Sequence, residues 1–226
     1  NIGLVTNLTR VTIDTAKVIS YRQDAGNTVS YTLQDGQWEF TGMNAQFTAD
    51  LLDSPSFPTR GYYLNVEAAQ GVTGTGQYTS LRTNGLWARS WGVHVLNLGL
   101  DLGADHLFDC VNCTGLTSLA PLYLGGFQSM GAYQMGQLNG DRLVHAQATY
   151  MYRLSAGGIL HQPTFVGLVA EVGDAWLSTK EFSQKYSSTL FIGVDSKIGD
   201  IFLGAASGSG GNRNIFLQLG RRFSLW

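Results

Sequence analysis

The stretch NIFLQLGRRFSLW, residues 214 to 226, alternates like a strand to the last residue of the chain. Ile215, Leu217, Leu219 and Phe223 share one parity, and Gln218, Gly220, Arg222 and Ser224 share the other. A period of two with one apolar and one polar or small face marks a strand lying between two different environments. An amphipathic strand with an open edge invites unwanted pairing, and closing the sheet into a barrel removes that edge.

The same alternation recurs upstream. In WGVHVLNLGLDLG (91 to 103), Leu96, Leu98, Leu100 and Leu102 oppose Asn97, Gly99, Asp101 and Gly103. In RLVHAQATYMYRL (142 to 154), Val144, Ala146, Ala148, Tyr150 and Tyr152 oppose His145, Gln147, Thr149 and Arg153. In TFVGLVAEVGD (164 to 174), Val166, Leu168, Ala170 and Val172 oppose Gly167, Glu171 and Gly173. Segments of about ten residues exceed the usual globular strand and match the roughly nine to eleven residues with which a tilted strand crosses a bilayer. A soluble sandwich would carry Lys, Glu and Arg on its outer face. Here the second face is Gly, Asn, Gln, Thr and His, as in a barrel with a polar lumen and lipid outside. The expected fold is therefore all-β, a transmembrane antiparallel β-barrel, with a soluble all-β domain as the alternative.

The totals agree. Of 226 residues 13% are charged, about half the roughly 25% of an ordinary soluble domain, while 29 are Gly and 12% are aromatic. The net charge of −2 gives a nucleic-acid partner no electrostatic support. No run of 18 apolar residues exists for a membrane helix. No secretory signal precedes Asn1, so the chain is expected to begin after processing or within a longer protein. The two cysteines, Cys110 and Cys113, stand in DCVNC. A lone C-x-x-C is weak evidence for zinc. The favoured reading is a small disulfide in an exposed loop, and two free thiols is the alternative.

Further strands are expected at 39 to 51, 59 to 70, 76 to 89, 188 to 197 and 200 to 206, with VTNLTRVTI and KVISYR near the start, ten to twelve in all. Turn signals lie at 53 to 58 (DSPSFP) and 207 to 214 (SGSGGNRN). Residues 104 to 141 form one long connection containing APLYLGGFQSMGAYQMGQLNGD. It is too apolar for a free surface loop, and it is expected to fold inward and pack inside the barrel.

Three of these stretches carry a family resemblance. LLDSPSFPTRGYYLNVE (51 to 67) resembles a hairpin of the bacterial surface-antigen barrels, through Asp53, Phe57, Pro58, Thr59 and Gly61. That outer-membrane superfamily includes the barrel-assembly protein, two-partner secretion transporters and patatin-like autotransporters. LGGFQSMGAYQMGQLNGDRLVHAQATYMYRL (124 to 154) resembles its inward loop and the following strand, with the motif on Gly125, Gly126, Met130, Gly131, Ala132 and Tyr133. The closing segment 195 to 223 resembles its last hairpin, and Gln218, Gly220, Phe223 and Leu225 look like the signal read by the outer-membrane barrel-assembly machinery.

Within the superfamily, YRLSAGGILHQPTFVGLVAEVGDAW (152 to 176) most resembles the patatin-like, type Vd autotransporters. The resemblance implies a sixteen-stranded barrel. With only some fifty residues before the F-P-T hairpin, residues 1 to 226 are expected to be a barrel domain lacking its first strands. The family's loop-tip Arg in V-R-G-Y is absent, since Met130, Gly131, Ala132 and Tyr133 stand there. Its contact with an acidic lumen residue is not carried over, and the departure favours the patatin-like branch over an assembly factor.

No G-x-S-x-G elbow, dinucleotide or Walker pattern occurs, and His94, His106, His145 and His161 lack metal-ligand spacing. The chain is therefore expected to be no enzyme and to need no cofactor or metal. Arg153 and Glu171 share the lumen parity of adjacent strands, and belong either to an internal ion pair or to a wider polar network. Trp87, Trp91, Tyr150, Tyr152, Trp176 and Trp226 read as interface aromatics. The implied function is that of a translocator or anchor in the bacterial outer membrane, holding an N-terminal phospholipase passenger. An assembly or polypeptide-secretion barrel and a passive pore are the alternatives. The partners are membrane lipid, the assembly machinery, the chain's own passenger and, because an incomplete sheet leaves edges, a second copy.

Overall fold

Alternating segments become strands here, and the structure, a computed structural model, joins most of them in one antiparallel sheet. It describes residues 2–13, 18–23, 29–34, 38–74, 77–108, 121–154, 162–196 and 199–220. The strands are β1 (Ile2–Ile13), β2 (Val18–Gln23), β3 (Val29–Gln34), β4 (Trp38–Asp50), β5 (Gly61–Gly74), β6 (Gln77–Trp91) and β7 (His94–Phe108). They continue with β8 (Leu122–Leu124), β9 (Leu138–Gly140), β10 (Arg142–Arg153), β11 (Thr164–Trp176), β12 (Lys185–Val194), β13 (Ile201–Gly208) and β14 (Arg213–Leu219). Ten of them form the sheet β1-β4-β5-β6-β7-β10-β11-β12-β13-β14. Two small hairpins, β2-β3 and β8-β9, pair as separate two-stranded sheets. The protein is all-β, and its large sheet is of barrel type, with β1 and β14 not paired to each other among the described residues.

Both faces follow the parity of the sequence. Leu98, Leu100 and Leu102 of β7, Tyr150 of β10, Leu168 of β11, Leu190 of β12, Leu203 of β13 and Leu217 of β14 are exposed. Asn97, Asp105, His145, Gln147, Thr149, Glu171, Ser187 and Thr189 on the opposite face are buried. Apolar side chains outside and polar ones inside invert the soluble arrangement and suit a sheet surrounded by lipid.

Several strand bounds differ from expectation, and β8 and β9 lie within the stretch expected to be one long connection. β7 runs on to Phe108, taking in the first five residues of the expected long connection, because it stays in register with β6 as far as Gln77. Leu107 and Asp105 keep the inward parity there, and Asp105 lies 3.9 Å from Arg82. β3, which the sequence did not announce, pairs with β2.

Ile2 and Leu219 lie at the same end of the sheet, since Ile2 pairs with Ala49 and Leu219 with Ile201. We call this the termini end. The connections 51–60 and 92–93 are on it, as are Arg153, Thr164, Val194 and Asp200, and β7 ends at Phe108 at the opposite end.

Inside the sheet two clusters are packed. In one, Leu122, Leu124, Met130, Ala132, Tyr133 and Leu138 of the long connection rest on Leu143, Ala175 and Ala206. In the other, at the termini end, Phe57 of the 51–60 turn joins Val95, Met151, Phe165, Val169, Phe191 and Phe202. The interior is thus polar in its middle but aromatic at that end. Burying each such ring contributes about 1.5–3 kcal/mol.

Candidate functional site

Residues 121 to 141 of the long connection pack on the inner face of the sheet. Its root is fixed first. Asp141 accepts hydrogen bonds from Ser178 N (2.6 Å) and Ser178 Oγ (2.7 Å), and its own N–H donates to Trp176 O (3.0 Å). β8 and β9 then carry the chain inward to a tip folded on itself. Gly125 N donates to Ser129 O (2.6 Å), Gly126 N to Tyr133 O (2.9 Å) and Tyr133 N to Met130 O (2.9 Å). Gln128 and Met130 take φ of 58° and 70°, in the left-handed region that non-glycine residues seldom occupy.

That turn aims consecutive amides at the barrel wall. Met130 N and Gly131 N each donate to the Glu171 carboxylate at 2.8 Å, one to each oxygen. Ala132 N donates to Ser187 Oγ (3.0 Å), Asn214 Nδ2 to Gly131 O (3.3 Å) and Tyr133 OH to Ser209 O (3.2 Å). Gly131 is needed because its backbone presses on β12, where an added Cβ would collide with Thr189 Oγ1. Behind Glu171 stands His145, with Nε2 3.5 Å from Glu171 Oε1 and Nδ1 2.8 Å from Asp101 Oδ2. Asn84 Nδ2 donates to Asp101 Oδ1 at 3.0 Å. Hydrogen bonds to an ionised acceptor are about twice as strong as neutral ones. Glu171 therefore holds the loop tip as a latch, through backbone donors rather than a side-chain cation.

Arg153 plays no part in this. It is exposed, its guanidinium lies 5.4 Å from the centroid of the Phe165 ring, and its register partner is Phe165, whereas Glu171 is opposite Gln147. The Arg153–Glu171 ion pair does not form, because shared parity does not mean shared height on the barrel. Of that pair only Glu171 belongs to the polar network.

The 51–60 turn forms a second constellation. Asp53 accepts from Thr59 N (2.8 Å), Arg60 N (3.0 Å) and Thr59 Oγ1. Partial burial raises the Asp53 carboxyl, but these three donors outweigh it and hold the group below its ordinary value. Phe57 is 2% exposed and Pro58 is buried beside it. Gly61 has φ of 109°, and a Cβ there would collide with the Leu51 carbonyl. The spacing of Asp53, Phe57, Pro58, Thr59 and Gly61 thus describes a turn closed by one carboxylate and delivering one ring inward.

At the other edge Gln218 faces the interior, and Gly220 N donates to Asp200 O (2.8 Å). Phe223, Leu225 and Trp226 lie outside the described residues, as do Cys110 and Cys113. Trp87, Trp91, Tyr150 and Tyr152 are exposed on the outer face near the termini end, while Trp176 sits toward the other end against the Phe182 ring.

Sequence reasoning missed Glu171 as the partner of the loop tip, together with His145, Asp101 and Ser187. The one available signal was polar residues on the inward parity of neighbouring strands. It becomes specific only once register aligns His145 with Asp101 and Glu171 with Ser187.

Residues 1–199 match the family model described as the Omp85 superfamily domain. No curated protein matches the chain.

Proposed function

Because the chain belongs to the Omp85 superfamily, we propose that it is the outer-membrane translocator and anchor of a polypeptide carried N-terminal to it. In this reading the passenger is a patatin-like phospholipase, and the chain is the membrane end of a longer protein whose preceding strands complete the barrel. The greasy outer face holds the sheet in lipid. Strand pairing satisfies the backbone groups that hydrocarbon cannot. The barrel-assembly machinery inserts it, reading Gln218, Gly220, Phe223 and Leu225.

The observation that carries the reading is the inward loop, latched at Met130 and Gly131 by Glu171. A loop held this way occludes the lumen, which disfavours a passive pore. The absence of the family's loop Arg from the matching stretch Met130, Gly131, Ala132 and Tyr133 disfavours an assembly factor. The patatin-like branch is supported by the resemblance of residues 152 to 176 and by the departure at the loop tip.

The test is the intact mass of the native product extracted from outer membranes with detergent, followed by a phospholipase assay. A mass several-fold above 24.5 kDa with lipase activity is expected. A product near 24.5 kDa would refute the anchor reading.

A further inference from the structure

A second occluding element lies apart from the latched loop. The 51–60 turn joins β4 and β5, second and third in the sheet, yet its Phe57 ring stacks on Phe165 and Phe202, each at 4.8 Å between centroids, on the seventh and ninth strands. The turn therefore crosses the concave face at the termini end. Ser56 Oγ donates to the Asp200 carboxylate of the β12–β13 connection, pinning the turn on the far side. Gly193 of β12 supplies the slot, since a Cβ there would stand 2.5 Å from the Phe57 ring.

The loop reaches the same cluster. Phe127, three residues before the latched Met130, lies 5.1 Å from both Phe191 and Phe202 and 4.6 Å from Phe216. Phe202 thus touches the turn and the loop at once. Between turn and tip is a cavity of about 40 Å³ lined by Ser56, Pro58, Gln128, Asn97, Gln147 and Gln218, among others. Asn97 Oδ1 and Gln147 Oε1 have no hydrogen-bond partner among the described residues. A polar chamber of that size accommodates about three waters at roughly 10–15 Å³ each. The contact between turn and loop is therefore aromatic on one side and wettable on the other.

We propose that Phe57 is a gate residue sealing the termini end of the lumen, and that the shared Phe202 couples it to the inward loop, so that turn and loop release together. This rests on the occluded-barrel reading above. Displacing the ring removes an apolar constriction, which admits water and ions along the chamber.

The test uses the full protein from outer membranes, reconstituted in planar lipid bilayers, with folding checked by heat-modifiable gel mobility. Two variants displace the ring differently: Phe57→Ala removes it, and Gly193→Ala pushes it from its slot. Each is expected to raise the frequency of open-channel events about tenfold and to speed hydrogen exchange at Met130 and Gly131. If Phe57→Ala does not fold, Gly193→Ala decides. Folded variants with parental conductance, beside an open Glu171→Ala control, would overturn the gate while leaving the latched loop intact. A closed channel in the Phe57→Ala, Glu171→Ala double variant would overturn the occluded-barrel reading as well. Open channels with unchanged exchange at the loop tip would overturn the coupling.

Discussion

Removing the Glu171 carboxylate is the perturbation with the most direct consequence for the loop. Its two oxygens receive Met130 N and Gly131 N at 2.8 Å, in a fully buried setting. A hydrogen bond to a charged group contributes about 1.5–3 kcal/mol net, and a buried donor left without a partner costs about 1–3 kcal/mol. Glu171→Ala strands two such amides, so loop docking should weaken by about 3–5 kcal/mol. Glu171→Gln keeps one acceptor oxygen and presents an NH2 to the other amide, and about half that loss is expected. Amide hydrogen exchange in detergent micelles reads the effect at the atoms concerned. Each 1.4 kcal/mol is tenfold in the opening equilibrium, so the Ala variant should exchange at Met130 and Gly131 at least about a hundredfold faster. The strand amides of β6 and β7 should stay protected. Unchanged protection at the loop tip in Glu171→Ala would refute the latch. Loss of protection throughout the sheet would show that Glu171 supports the barrel rather than the loop.

Gly131→Ala should undock the tip at a cost of about 1–3 kcal/mol from overpacking against Thr189 Oγ1, and Thr189→Ala in the same chain should recover part of it, both measured by protease sensitivity of the loop. Asp53 has a carboxyl held below its unfolded value, so its contribution is complete above about pH 4 and is lost as pH falls through the lower folded value; thermal melts at pH 7 and pH 3 should show that loss in the parent and a smaller one in Asp53→Asn. Phe223→Ala should lower the yield of folded protein in outer-membrane fractions, and an unchanged yield would remove Phe223 from the assembly signal.

Much of the architecture was legible because parity is a local property. Leu98, Leu100 and Leu102 announce an outer face in any sheet containing them, and Asn97 with Asp101 announces the inner one. Height along the barrel is not local. Arg153 and Glu171 share a parity on neighbouring strands, yet their register partners stand six residues apart, about 20 Å at 3.3 Å per residue. The latch was illegible for another reason: its donors are backbone amides, and every non-proline residue carries one. Only the left-handed turns at Gln128 and Met130, which no composition rule predicts for those residue types, aim the amides at Glu171. Phe191 and Phe202 fall in two of the expected strands, but the aromatic cluster they join is completed by the ring brought from the 51–60 turn.

The position of the loop in the chain also orders its maturation. Its partners Glu171, Ser187, Ser209 and Asn214 all follow it, at separations of 41, 55, 76 and 83 residues from the donor or acceptor they meet. Contacts so distant in sequence pay their loop-closure entropy before any bond rewards them. The tip therefore has no latch until β11 is in place, and it gains its remaining partners only as β12 to β14 follow. A chain stalled before β11 keeps an unlatched, protease-sensitive loop, so protection of that one segment reports a sheet grown at least as far as Glu171.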